Sequence, residues 1–187
     1  MDDDLPIQLP VVGVTAPDPS SAEADARAVE TAWRIHAELG NWTAKVDAKA
    51  SFALTLESAA TAGVIALSTD DHVLANLHGW GTRSLLWTGT VLILASGIFS
   101  MLVVVPRLRA RKVKAEAPSN FIYFGHLVHR EADELTTTLK QTDILPVLSR
   151  QLIAMSKIAW GKHRHVQLSF SIFGTGAALV FLAGLLN

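Results

Sequence analysis

Residues 85–114 read LLWTGTVLILASGIFSMLVVVPRLRARKVK, and the change of character within this stretch decides the fold. No residue from Leu85 to Val105 carries a charge. A helix of that length, at about 1.5 Å per residue, reaches across a hydrocarbon core of roughly 30 Å while satisfying its own backbone hydrogen bonds. Pro106 closes the run, and Arg107, Arg109, Arg111, Lys112 and Lys114 follow at once. A charge-free helix ending in a basic cluster is the pattern of a membrane span with its basic end retained in the cytoplasm.

Two further stretches repeat the pattern. Residues 51–68 (SFALTLESAATAGVIALS) are apolar and small, and Ala59 with Gly63 forms a small-xxx-small pair suited to close helix packing. Residues 168–187 form a third span, preceded by Lys162, His163, Arg164 and His165. Both strong basic clusters fall between the second and third spans, so that region is expected inside. Counting outward, the N-terminus is cytoplasmic, the loop 69–84 with Asp70 and Asp71 is outside, and the C-terminus is periplasmic. The acidic start Met1-Asp2-Asp3-Asp4 lacks the basic and apolar regions of a secretory signal.

The remaining segments read as helices and a tail. Residues 1–19 hold Pro6, Pro10, Pro17 and Pro19 with no sustained period and are expected to be a disordered tail. Ser20 and Glu23 form a capping box opening a cytoplasmic helix over 20–50, on which Ala32, Ile35, Leu39, Trp42 and Val46 make an apolar stripe. The inner region, 106–167, begins with the basic cluster. It continues with Phe121-Ile122-Tyr123-Phe124-Gly125-His126, a membrane-proximal anchor or a buried turn, and with a polar stretch of helical composition. Asp143 and Pro146 start another helix with a second stripe, Leu145, Leu148, Leu152, Met155 and Ala159. The two striped helices both run into spans and are expected to pair as a stalk, within one chain or between chains. The fold class is therefore all-α, with three transmembrane helices and long helices extending into the cytoplasm.

Composition narrows the chemistry. The chain has 187 residues, half of them hydrophobic, a net charge of −1 and no cysteine. Disulfides, thiol nucleophiles, cysteine zinc sites and iron–sulfur clusters are excluded, and no global field argues for nucleic acid. No glycine-rich phosphate loop, HExxH, Gly-x-Ser-x-Gly or paired catalytic carboxylates are present, so no catalytic residue is assigned and an enzyme is not expected. Glu57 stands inside the first span, where an ionisable group is costly and so a candidate for gating or a water path; the alternative is a structural pairing with Lys49. His126 and His129, three apart, fit zinc only if a third ligand joins them, and a polar helical surface is the default. His163 and His165 point to different sides of a helix and belong with the basic approach to the third span. The basic clusters suit orientation and lipid contact, with Lys162 and Arg164 free to reach a nucleotide phosphate.

Several elements occur together in order: Trp42 and Val46-Asp47-Ala48-Lys49-Ala50-Ser51 leading into a span, then Phe124-Gly125-His126, then Gln151, Ser156, Ile158 and Lys162-His163-Arg164 leading into the last span. Over residues 25–187 the chain resembles the Pycsar transmembrane effectors of bacterial antiphage defence. It departs from their pattern at Met155 and His163. The resemblance implies an inner-membrane effector that senses a cyclic pyrimidine mononucleotide, cyclic CMP or cyclic UMP, made by a partner pyrimidine cyclase. It then disrupts the membrane and causes abortive infection. The same resemblance marks Asp47, Lys49, His126, Gln151, Lys162 and Arg164 as positions for ligand sensing or coupling, with no further cofactor. Three spans can hardly enclose a water path alone, so a homo-oligomer is expected. The competing expectation is a passive membrane scaffold that recruits a protein partner through its cytoplasmic helices.

Overall fold

A computed structural model describes residues 19–69, 72–105 and 110–186. The expected N-terminal tail, the Asp70-Asp71 step and Pro106, Arg107 and Arg109 lie outside the described residues. The elements are α1 (Pro19–Leu67), α2 (Trp80–Val104), α3 (Ala110–Glu116), α4 (Phe124–Leu127), α5 (Ala132–Gln141) and α6 (Ile144–Leu185), and the described residues contain no strand. The expected cytoplasmic helix and first span are one unbroken helix, α1, and the second striped helix runs without a break into the third span as α6. Three helices, α1, α2 and α6, are long and apolar enough to cross a membrane.

Local chemistry sets the ends. Pro19 begins α1, where a missing N–H costs nothing. Asp143 caps α6 by accepting a hydrogen bond from the Leu145 amide at 3.0 Å, with Pro146 in the first turn as its sequence implied. Gly79, at φ 94°, turns the chain into α2 from a left-handed conformation that L side chains avoid. α2 starts at Trp80, five residues before the apolar run.

The three long helices pack along seams with a heptad rhythm. In α2 the buried residues are Leu86, Gly89, Ile93, Ser96, Ser100 and Val103, alternating steps of three and four. As α2 advances through Gly89, Ile93, Ser100 and Val103, its neighbours on α6 retreat through Val180, Gly176, Ser169 and Val166, so the two helices are antiparallel in constant register. The closest approach is at Gly89 and Gly176. A Cβ on Gly89 would lie 2.7 Å from the Gly176 carbonyl oxygen, and one on Gly176 would lie 2.8 Å from that of Gly89. Small residues at that crossing let two backbones touch, as membrane helices do when dispersion rather than hydrophobicity holds them together.

α1 runs parallel to α6, so the two form the stalk within one chain. The α6 stripe is as expected: Leu148 and Ala159 are buried and Leu145, Leu152 and Met155 are half-buried. The α1 stripe needs correction. Ala32, Leu39 and Val46 are buried, but Ile35 and Trp42 are 45% and 51% exposed, and the half-buried His36 and Thr43 take their place. From Ala32 a heptad can continue through steps of three or of four. The first choice, extended by sevens from Ile35, carries Lys49 into the seam. The second, extended from His36, carries Ala50, which is fully buried, and the helix takes the second.

The segment between α2 and α6 folds as a small satellite. Arg130 donates to the carbonyls of Ala117 and Pro118, to Glu134 and to Thr138, and its guanidinium lies over the Phe121 ring. Arg150 of α6 donates to the Ser119 carbonyl. Phe121 and His126 are buried while Phe124 is exposed, so the aromatic segment is a buried turn with one ring left outside.

Trp80 and Trp87 near the start of α2, and Trp42 and Trp160 near the stalk end of the spans, are all exposed. Leu168 to Leu185 on α6 covers roughly 26 Å of helix, close to the thickness of a bilayer core.

The packing predicts a contrast. Leu148→Ala removes a fully buried side chain and should cost about 2–5 kcal/mol. Ile153→Ala, on the exposed face of the same helix, should cost under about 1 kcal/mol. Denaturation of the purified protein in one detergent, followed by circular dichroism, checks the difference.

Candidate functional site

Where the stalk meets the spans, Asp47 on α1 faces Lys162 on α6. The Lys162 ammonium donates to both carboxylate oxygens, at 2.6 and 2.8 Å. The side chains are 39% and 25% exposed, so the pair is partly solvated and contributes modestly to stability, about 0.5–1 kcal/mol after screening. Its geometric role is larger. It fixes the axial position of α1 against α6 within reach of ligands from the water phase.

The other expected site residues are distributed around this pair. Gln151 stands on α6 three helical turns before Lys162 and is half-buried, whereas Lys49 and Arg164 are exposed. His126 belongs to the satellite. Its Nε2 is 3.8 Å from a Glu116 carboxylate oxygen, the Tyr123 ring meets it edge-on, and its buried Nδ1 has no hydrogen-bond partner. The structure therefore brings Asp47 and Lys162 together and places His126 in a separate cluster. Among the described residues no three histidine, aspartate or glutamate side chains converge as a metal site. Of the departures noted in the sequence, Met155 is half-buried in the α6 stripe and His163 sets Nδ1 3.0 Å from the Ala159 carbonyl oxygen.

Deeper along the same seam lies Glu57. Lys49 is exposed and does not reach it, which overturns the structural pairing with Lys49. The reason is the heptad phase: the register that turns Ile35, Trp42 and Lys49 outward repeats by sevens from His36 through Thr43 and Ala50 to Glu57. The carboxyl is 3% exposed, and its Oε1 accepts from Ser169 Oγ of α6 at 2.6 Å and from Ser100 Oγ of α2 at 3.3 Å. The two serine oxygens are 2.8 Å apart. One carboxyl thus touches all three spans. Oε2 is buried with no hydrogen-bond partner and points toward Gly97, where a Cβ would sit 3.8 Å away.

Reading the sequence missed Ser100 and Ser169. A serine in an apolar run is tolerated almost anywhere, because its hydroxyl can bond back to a carbonyl one turn earlier, as Thr90 does here. The available signal was rhythm: Gly89, Ser96 and Ser100 fall on one face of α2.

The geometry can be set beside known proteins. A family model described as the Pycsar effector protein domain matches residues 31–187, which include the stalk seam, Asp47, Lys162 and the Glu57 cluster. The chain belongs to this family. It is also 24% identical over 188 residues to the "Pycsar effector protein PtPycTM" of Propioniciclava tarda, a match covering 91% of this chain and 88% of that protein. No solved structure matches. As a Pycsar effector with three apolar spans, the protein is a membrane protein of antiphage defence.

The Asp47–Lys162 contact predicts a coupling that can be measured. Asp47→Asn and Lys162→Met should each destabilise by under about 1 kcal/mol, and the double variant should show an interaction energy of about 0.5–1 kcal/mol. The exchanged pair Asp47→Lys with Lys162→Asp should recover part of the loss. Thermal denaturation at low and high salt measures both, with the coupling shrinking in salt.

Proposed function

We propose that this chain is a ligand-gated inner-membrane effector. It senses cyclic CMP or cyclic UMP made by a partner pyrimidine cyclase and answers by disrupting the inner membrane, causing abortive infection. The observation that carries the reading is the Asp47–Lys162 pair, which ties two helices that pass unbroken from stalk to span. Membership of the Pycsar effectors supports it. The basic residues between the second and third spans argue for a cytoplasmic stalk and N-terminus and a periplasmic C-terminus.

The mechanism follows from charge. A cyclic nucleotide carries one phosphodiester anion, and Lys162 is a cation held in a defined geometry where the stalk meets the spans, with Lys49 and Arg164 exposed. A phosphate that binds Lys162 competes with Asp47 and releases the tie between α1 and α6. Because both helices are continuous, a shift between them at the stalk moves the spans. Ligand affinity must differ between the tied and released arrangements, otherwise binding moves nothing.

Base recognition needs polar contacts that one stalk does not supply in a single enclosed pocket. The groove of about 550 Å³ at the far end of the bundle, between Gly63, Leu74, Ile93, Val180 and Phe181, is lined by apolar side chains and does not suit a nucleotide. A pocket between chains meets the need, with Gln151 and His126 as polar candidates, and agrees with action as a homo-oligomer in contact with lipid.

Leakage of dye and ions from liposomes holding the purified protein, with cyclic CMP, cyclic UMP, cyclic AMP and cyclic GMP added singly, is the direct test. One pyrimidine cyclic nucleotide should provoke leakage. Lys162→Met should raise the concentration needed by tenfold or more. Silence with all four, in protein shown to be folded and inserted, would favour the scaffold instead.

A further inference from the structure

We propose that the outward face of α1 in one copy packs against the outward face of α6 in the next, so that the homo-oligomer is built by one repeated contact running from stalk into membrane. The surface that α2 turns outward shows what a lipid-facing helix is in this chain. Trp87, Val91, Leu94, Ile98 and Met101, in steps of three and four, are all large, apolar and exposed. Neither α1 nor α6 presents such a face.

On α1 the face opposite the buried residues changes character once. At its top Glu23 pairs with Arg27 and Glu30 with Arg34, as on a solvated helix. Below Arg34 the same face has no charge. Ala37, Asn41, Ala44 and Ala48 are exposed there, although this stretch precedes the span and meets water. Ser51, Thr55, Ser58 and Ala62 carry the face on through the span, small where α2 is large. The Ser51, Thr55 and Ser58 hydroxyls donate to carbonyls one turn back, at 3.0, 3.0 and 2.7 Å, which leaves their oxygens able to accept.

The outward face of α6 is the counterpart. Ile153 and Trp160 are 57% and 77% exposed, with the exposed cations Lys157 and Arg164 on the same face. Gln167, Ser171, Gly174 and Ala178 follow at the same spacing, all exposed, and a Cβ on Gly174 would meet nothing within 4 Å. Within one chain Asp47 meets Lys162 and Glu57 meets Ser169, offsets of 115 and 112 residues, which sets the depth of each α1 residue along α6. Copies that share one orientation in a bilayer are related by rotation about its normal and keep these depths. Ala37 and Asn41 then flank Ile153, and Ala44 and Ala48 flank Trp160. Thr55 lies level with Gln167, Ser58 with Ser171 and Ala62 with Gly174. Large side chains meet small ones in the stalk, and the Gln167 amide meets a hydroxyl oxygen lower down. Close small-residue packing and hydrogen bonds between helices are what hold spans together in lipid.

Charge selects this pairing over a symmetric one. α6 carries no acidic residue, so α6 against α6 would set Lys157 and Arg164 beside their own copies, a like-charge contact that opposes association. Pairing α1 with α1 would leave Ile153 and Trp160 uncovered. The uncharged α1 face accepts the α6 cations, with the Asn41 amide oxygen and the Ser51 hydroxyl oxygen near their depths. Because the two mating faces differ, the contact is heterologous and continues from copy to copy.

This surface rests on the homo-oligomer in the reading above and requires no nucleotide. The chain has no cysteine, so Ser58→Cys and Ser171→Cys each place a single thiol where a hydroxyl stood. The two full-length variants, co-expressed with different tags, are reconstituted in liposomes without nucleotide, oxidised and separated without reductant. Together they should give a mixed disulfide-linked dimer in several times the yield of either variant linked to itself. A chain carrying both substitutions should give a ladder of trimers and larger species. Mixed linking no stronger than that of the lipid-facing control Ile98→Cys with Ser58→Cys would overturn the proposal. Self-linking of either variant as strong as the mixture would also overturn it, by marking a symmetric contact. The leakage test is scored separately: leakage without the mixed link keeps the effector reading and removes this surface, and the link without leakage does the reverse.

Discussion

The phase of the α1 heptad is the constraint on which the rest of the structure depends. Once Ala50 rather than Lys49 is packed against the neighbouring helices, every seventh residue along α1 is committed. Val46 and Ala53 go inward, Trp42 goes outward, and Glu57 is carried to the junction of three spans. A helix cannot bury Ala50 and expose Glu57 without a break between them, and α1 has no proline or π-bulge there to absorb one. The cost of burying a carboxyl is therefore imposed by the packing of the stalk, and Ser100 and Ser169 are what make it tolerable.

Continuity gives the same phase a functional meaning. α1 and α6 are each one rigid rod from water to membrane, and their two polar contacts sit on one seam at different depths. Asp47–Lys162 is partly solvated, individually weak and open to competition by an anion. The cluster of Glu57, Ser100 and Ser169 is buried. The two contacts are joined by roughly three turns of continuous helix, a mechanical connection between stalk and span. Gly89 and Gly176 bring the backbones of α2 and α6 into contact.

The satellite between α2 and α6 is tied to the stalk differently. Arg130 satisfies the carbonyls at the turn after α3, and Arg150 joins that turn to α6. Arg130 uses the fixed fork of its guanidinium to hold several acceptors at once, whereas Arg150 makes a single bond to the Ser119 carbonyl.

The sequence alone determined the architecture: three spans from apolar length, the α6 stripe from its three-four spacing, the cap at Asp143, and the family resemblance that residues 31–187 bear out. These are local or one-dimensional properties, set by composition and period. Tertiary structure decided the face. Ile35 and His36, or Lys49 and Ala50, are adjacent in the chain and a third of a turn apart on the helix, and steps of three and four are equally helical. Only contact with α6 and α2 chooses between them. That choice turned Trp42 to the outside, separated Lys49 from Glu57, and brought a carboxyl and two serines from distant parts of the chain to within hydrogen-bonding distance.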